Sequence, residues 1–177
     1  LFQSVTPRTA GFNTADLTAL SETGQTLTIG LMLIGGSPGS TAGGMKTTTA
    51  AVLIACAIAI FRRRENGRFF GRRISDETVK NAVTVFLMYI SLFLLGGMII
   101  SRVENLPILT CLFETASAIG TVGLTLGITP GLHAVSKLIL ICLMFLGRVG
   151  GLTLIFATLS ANKNMLSKLP LEKITVG

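Results

Sequence analysis

Charge is scarce in this sequence. Only 13% of its 177 residues are Asp, Glu, Lys or Arg, where a soluble domain carries about a quarter, which argues against a water-soluble globule. Disorder is excluded as well, because disordered chains are poor in apolar residues and half of this chain is apolar. Tryptophan is absent while glycine reaches 20 residues, a balance that suits close-packed membrane helices better than a soluble core. Paired cysteines are missing. Cys56, Cys111 and Cys142 sit singly in apolar runs, without the spacing of a zinc site or a disulfide framework, and read as packing residues. A signal pattern is missing too: the chain begins at Leu1 with neither methionine nor a charged-then-apolar start, so it reads as a piece of something longer. Acidic residues are few, and the net charge of +7 would ordinarily raise nucleic acid as a partner. Placement argues otherwise, since seven of the fifteen Lys and Arg lie between Arg62 and Lys80.

What the sequence does have is length of apolar run. Ala82–Ser101 is 20 residues without a charge, about 30 Å of helix and one membrane crossing. Leu138–Ala161 is a second such run, interrupted only by Arg148. Basic stretches at Arg62–Lys80 and at Lys163, Lys168 and Lys173 flank the pair. Lys and Arg gather on the cytoplasmic side, so the two helices run out and back, with 63–80 and 163–177 inside. Leu106–Ile119 is left on the outer side, opening with Pro107 near a helix start. It is too short to cross, and a crossing would put the basic flanks on opposite sides. The consistent solution is a half-length helix that dips in and returns through Gly120–Gly127. Irregular backbone at that depth is tolerated only where protein or a water-filled path surrounds it, which is the outline of a pore loop.

The first third is apolar from Gly24 to Phe61 but interrupted at Gly35–Lys46. Gly36-Ser37-Pro38-Gly39 breaks a helix, because proline lacks a donor and glycine favours irregular backbone. Two short helices, about Gln25–Ile34 and Thr47–Arg62, are expected to bracket an uncoiled stretch, and such broken helices usually lie beside an ion or substrate path. There is also a repeat. Thr9-Ala10-Gly11-Phe12 resembles Thr121-Val122-Gly123-Leu124, each following a segment with a phenylalanine (Phe2, Phe113) and each preceding a membrane-length helical stretch. The unit is helix, half-helix, Thr-x-Gly loop, helix; one copy is complete and the tail of another precedes it. A glycine-containing extended loop can turn carbonyls inward to replace the water of a monovalent cation, and the C-terminal end of the half-helix adds partial negative charge.

These residues carry a resemblance. Thr6-Pro7-Arg8-Thr9-Ala10-Gly11-Phe12-Asn13-Thr14 resembles the third filter region of the Trk/Ktr/HKT superfamily of potassium transporters. Gly35-Gly36-Ser37-Pro38-Gly39-Ser40-Thr41-Ala42-Gly43-Gly44-Met45-Lys46-Thr47 resembles its intramembrane gating loop, Gly120-Thr121-Val122-Gly123-Leu124-Thr125 its fourth filter and Gly147-Arg148-Val149-Gly150 its last helix. The wording of the gating stretch is closest to the Ktr-type (KtrB-like) membrane subunit, although Gly151 stands where that subtype leads one to expect proline.

The resemblance implies an all-α polytopic membrane protein with four helix–pore-loop–helix repeats around one pore, this chain supplying the end of the third repeat and all of the fourth. It divides the chain into 1–22 (end of the third pore helix, filter and outer loop), 23–62 (broken helix), 63–80 (basic loop), 81–103 (transmembrane helix), 106–127 (re-entrant helix and filter), 134–162 (transmembrane helix) and 163–177 (tail). Thr9, Ala10, Gly11, Phe12 and Asn13 with Gly120, Thr121, Val122, Gly123, Leu124 and Thr125 would line the filter. Gly36, Ser37, Pro38, Gly39, Ser40, Thr41, Ala42, Gly43, Gly44, Lys46 and Arg148 would form the gate. Two filter strands of four cannot enclose an ion, so this chain alone is not expected to conduct.

The implied function is potassium uptake across the cell membrane, with sodium left open because the first two filter strands are missing. Neither covalent chemistry nor a bound cofactor is implied. The partners implied are membrane lipid, a second membrane subunit in a homodimer, and a cytosolic nucleotide-binding (RCK-type) regulatory subunit. A secondary transporter with an occluded site at the broken helix, and a non-conducting remnant, are the competing readings.

Single features have rival readings. Gly39–Thr47 imitates a phosphate-binding Gly-x4-Gly-Lys-Thr loop, but the inserted Met45 spoils the spacing and no buried strand leads into it. Pro38 rules out Gly35, Gly39 and Gly43 as a helix-dimer face. Phe69 and Phe70 among arginines suggest RNA binding less well than an inner loop whose arginines meet anionic lipid. Arg148, deep in its helix, faces a water path or the bundle interior, as an electrostatic barrier bonded to the Gly36–Gly44 carbonyls or as a structural partner of Glu114. Lys46 is a second pore-side cation or the start of the inner helix. Glu114 is expected to brace the filter loop, in preference to binding the ion, and His133 to be a solvated residue on an outer loop.

Overall fold

The computed structural model of the protein describes residues 2–63, 67–69 and 72–149. Helix α1 is a single turn at Phe2–Val5, followed by α2 (Glu22–Leu33), α3 (Thr47–Phe61), a two-residue hairpin of β1 (Arg68–Phe69) and β2 (Arg72–Arg73), α4 (Asp76–Glu104), α5 (Ile108–Ile119), a 3₁₀ turn at Thr129–Gly131 and α6 (Ala134–Val149). The segment after Val149, with Gly150, Gly151 and the expected inner tail at 163–177, lies outside the described residues.

Caps explain where the helices start and stop. Ser21 Oγ accepts a hydrogen bond from Gly24 N at 3.2 Å, so α2 begins a turn before Gln25. Ser75 Oγ does the same for Thr78 N, with Asp76 and Glu77 in the first turn, where a helix N-terminus favours negative charge. The basic segment expected to be loop as far as residue 80 is therefore helical from Asp76, and four of its residues form the antiparallel pairing Arg68↔Arg73 and Phe69↔Arg72. Asn105, with φ 53°, ends α4 in the left-handed conformation that short polar side chains tolerate. At 29 residues α4 extends about 43 Å. It is the one helix among the described residues long and apolar enough to cross a membrane.

The core is organised around the short helix. Helix α5 packs against α2, α4 and α6, and every residue from Phe113 to Gly120 is buried. Cys111, Phe113, Ala116 and Ile119 are fully enclosed, meeting Met32 of α2, Tyr89 and Phe93 of α4 and Leu140 and Leu143 of α6 in two adjoining clusters. The outside is apolar as well: Leu87, Leu95 and Met98 on α4 and Ile141 and Phe145 on α6 are exposed.

Polar ties fix the ends of the bundle. Ser101 Oγ donates to Leu106 O at 2.8 Å, turning the chain from α4 into α5. Glu104, whose side chain is 6% exposed, accepts from the Ser136 hydroxyl, from His133 N at 2.9 Å and from His133 Nδ1 at 2.8 Å. It is a carboxylate at the N-terminus of α6, the end where the helix dipole favours an anion. His133 is thus a partner in this tie and not merely solvated. The carboxylate acts across 29 residues of sequence, a separation that no local pattern discloses. Replacing Glu104 by Ala strands the fully buried Ser136 hydroxyl and uncaps α6. The expected result is a lower unfolding midpoint in detergent, with Glu104→Gln falling between Ala and the parent. An unchanged midpoint for Glu104→Ala would refute the tie.

Candidate functional site

The two Thr-x-Gly loops meet. Thr9 and Gly11 have φ of 70° and 74°, and Thr121 and Gly123 have 51° and 92°. In both loops the threonine and the glycine are left-handed with an ordinary residue between them. Alternation of this kind lines up successive peptide groups, N–H to one side and C=O to the other. In the second loop the N–H side faces α5. Val122 N donates to Ser117 O at 2.9 Å and Gly123 N to Ser117 Oγ at 3.2 Å. In the first loop Ala10 N and Gly11 N both donate to Thr6 O, at 3.0 and 3.2 Å, while the Thr6 hydroxyl donates to Phe12 O at 2.5 Å. The loops touch where Gly11 faces the Val122 carbonyl oxygen, so closely that a Cβ on Gly11 would overlap it. Phe12 and Asn13 are exposed at the outer side of this contact, Asn13 Oδ1 accepting from Ala15 N at 3.2 Å.

Glu114 secures the exit of the second loop. It is 4% exposed. Its Oε1 accepts from Thr125 Oγ1 at 2.5 Å and Leu126 N at 2.9 Å, and its Oε2 from Thr129 Oγ1 at 2.8 Å. Both carboxylate oxygens are thus engaged by donors of the returning chain. Ser117, which the sequence reading passed over, lies one turn beyond Glu114 on the same helix face. A pair of polar residues three apart in an otherwise apolar half-helix is the signal that would have found it. A cavity of about 620 Å³ is lined by Glu114, Ser117, Thr121, Gly123, Thr125 and Arg148, among others.

The stretch between α2 and α3 lies beneath these loops. Its base is clasped: Gly35 N donates to Met45 O at 2.7 Å and Thr47 N to Gly36 O at 3.2 Å, with a parallel bridge between Ile34 and Met45. Ser37, Pro38, Gly39, Ser40 and Thr41 form the exposed tip. Gly43 N donates to Thr121 Oγ1 at 3.1 Å, and Gly44 N to Gly147 O at 3.2 Å. Arg148 Nη1 donates to Thr41 O, which places the arginine on the loop carbonyls and not on Glu114. Lys46 Nζ folds back onto Ala42 O at 2.5 Å and Ser40 O at 3.4 Å. Two cationic side chains thus hold one loop through its carbonyls. Tyr89 adds a bond from its hydroxyl to Gly147 O at 3.3 Å.

Residues 1–168 match the TrkH family of cation transport proteins. The chain belongs to that family. TrkH-family proteins are membrane transporters, so this chain is part of a transporter and not of an enzyme, and its helices are those of an all-α membrane fold. It is 44% identical, over 99% of its length, to the potassium/sodium uptake protein NtpJ of Enterococcus hirae. It is 42% identical, over 88% of its length, to the Ktr system potassium uptake protein B of Bacillus subtilis. The crystal structure of the potassium transporter TrkH from Vibrio parahaemolyticus superposes on 89% of the chain with a TM-score of 0.74 and 25% identity. The chain spans 40% of the first relative, 35% of the second and 36% of the TrkH structure.

The bonds at Glu114 can be isolated by a double-mutant cycle of Glu114→Ala and Thr129→Val, read by thermal unfolding in detergent. A buried hydrogen bond to a carboxylate is worth about 1.5–3 kcal/mol. The two losses are therefore expected to be non-additive by more than about 0.5 kcal/mol, whereas strict additivity would show that the bond is not made.

Proposed function

We propose that the whole protein takes up potassium across the cell membrane, and that this chain contributes two of its four filter strands and its gate. The observation that carries the reading is the contact of two Thr-x-Gly loops whose N–H groups are consumed by their own supporting segments. Apart from Phe12 O, which takes the Thr6 hydroxyl, the carbonyl side of such loops offers the oxygens a dehydrating monovalent cation needs. Thr9–Asn13 and Gly120–Thr125 form the filter strands, with Glu114 as their brace. The names of the relatives, a potassium/sodium uptake protein and a Ktr system potassium uptake protein, support K⁺ as the transported ion and leave Na⁺ admissible.

In this reading the chain is the end of the third helix–pore-loop–helix repeat followed by the complete fourth, multi-pass, with 63–80 and 163–177 on the cytoplasmic side. The direction of α4 supports it: the basic hairpin lies at its start and Glu104 at its other end. Gly36–Gly44 and Lys46 form a gate beneath the filter, latched by Arg148 on Thr41 O. Its cationic side chains bind the carbonyls that would otherwise attract an entering ion, and their positive charge opposes passage. The basic inner face meets anionic lipid and the RCK-type regulatory subunit, and the membrane subunit pairs as a homodimer.

The gate is tested in the whole transporter by rubidium flux at equal expression. Arg148→Ala, or deletion within Ser37–Gly44, is expected to raise uptake several-fold. Unchanged or lower flux in both would count against a gate.

A further inference from the structure

The loop beneath the filter does more than sit below it. Its Gly43 N–H is bonded to the side-chain oxygen of Thr121 at 3.1 Å, across 78 residues of sequence. The fit is close, because any side chain on Gly43 would overlap Thr121 Oγ1 and crowd its Cγ2. Thr121 is the left-handed first residue of the Thr-x-Gly loop, so its hydroxyl stands at the end of the row of carbonyls nearest the gate. The equivalent residue of the sibling loop offers a comparison. Thr9 has the same left-handed backbone, and its Oγ1 is buried without a hydrogen-bond partner among the described residues. Two equivalent hydroxyls at the base of two equivalent loops thus differ in one respect: the loop donor has taken one of them.

A cation losing water at the inner end of the filter needs the oxygen of the Thr121 hydroxyl, and the seated loop is packed onto that oxygen, a Cβ on Gly43 already overlapping it. We infer that Thr121 couples the gate to the filter: its oxygen is held by Gly43 N–H when the loop is seated and serves the permeant ion when the loop withdraws. The inference rests on the proposed filter and gate and adds their regulation by the ion itself. Linkage makes the effect reciprocal. Whatever unseats the loop must tighten ion binding, and ion binding must favour the unseated loop. Thr121 is a positioning residue toward the gate and an ion ligand toward the filter.

Gly43→Ala unseats the loop by collision with Thr121 and nothing nearer. In the whole transporter, rubidium uptake by Gly43→Ala is expected to show a raised maximal rate and a KM lowered at least about fivefold, the lower end of coupling between linked sites. Adding Thr121→Ala removes the shared oxygen and the obstructing methyl, so in that background the KM shift produced by Gly43→Ala should shrink to near nothing. Thr121→Ser keeps the oxygen and should keep the shift, and it remains informative if Thr121→Ala fails to fold. The coupling is overturned if Gly43→Ala leaves KM unchanged, if the shift persists in Thr121→Ala, or if Thr121→Ser abolishes it. These outcomes are distinct from failure of the gate, which shows as unraised flux in Arg148→Ala and in the loop deletion. Raised flux in those variants with an unshifted KM in Gly43→Ala removes the coupling alone.

Discussion

Backbone that is neither helix nor sheet survives in a dry interior only when each of its N–H groups finds an acceptor, because an unmet donor there costs several kcal/mol. The structure depends on how this demand is met at residues 120–127. The last turn of α5 takes Gly120 N and Thr121 N onto Ala116 O and Ala118 O, Ser117 takes Val122 N and Gly123 N, and Glu114 takes Leu126 N. One side of the loop is satisfied by the half-helix that leads into it. The half-helix must therefore be buried, short and rigidly placed, and α2, α4 and α6 are arranged to hold it so. The same rule governs the stretch between α2 and α3, whose donors at Gly35, Gly43, Gly44 and Thr47 all find acceptors.

Packing among apolar helices gains little from hydrophobicity once lipid surrounds them, and close contact with a few polar bonds takes its place. The exposed leucines, isoleucines and phenylalanines of α4 and α6 fit that setting, as does the contrast with the interior. Polar groups are few inside, yet those that hold the bundle are tied to chain segments beyond their own helix. Glu104 fastens α6 to α4, Ser101 fastens the entry of α5, Glu114 fastens its return, and Tyr89 reaches the carbonyl of Gly147. Bonds of this sort fix register where apolar surfaces alone would allow sliding.

Much of the secondary structure was legible because apolar run length and the placing of glycine and proline write helices and breaks into a sequence. The uncharged run over Ala82–Ser101, the helix-breaking Gly36–Gly39 and the short apolar segment before Gly120 each appear in the structure as a helix or a break, with ends displaced by caps at Ser21 and Ser75. Glu114 stood out because a carboxylate in an apolar half-helix demands a reason, and Arg148 because an arginine deep in a helix does. What stayed illegible were contacts fixed only by three-dimensional placement: His133 on Glu104, Thr121 on Gly43, Ser117 on the loop. The left-handed backbone at Thr9 and Thr121 was hidden for a different reason, since threonine is among the residues least expected there. Only the combined requirement of donors inward, oxygens outward and a neighbour at van der Waals distance imposes it.

The clasp at the base of the loop between α2 and α3 has a mechanical consequence. With Gly35 bonded to Met45 and Gly36 to Thr47, the two ends are pinned side by side, and the residues between them form a stirrup hung from a fixed bar. Motion of the stirrup leaves the bar, and so the two helices, where they stand. Because closing a short tethered loop is already complete, swinging it incurs little of the entropy that untethered chain would lose. Large displacement at the tip is then compatible with a rigid frame a few residues away, and the two helices need not tilt for the tip to move.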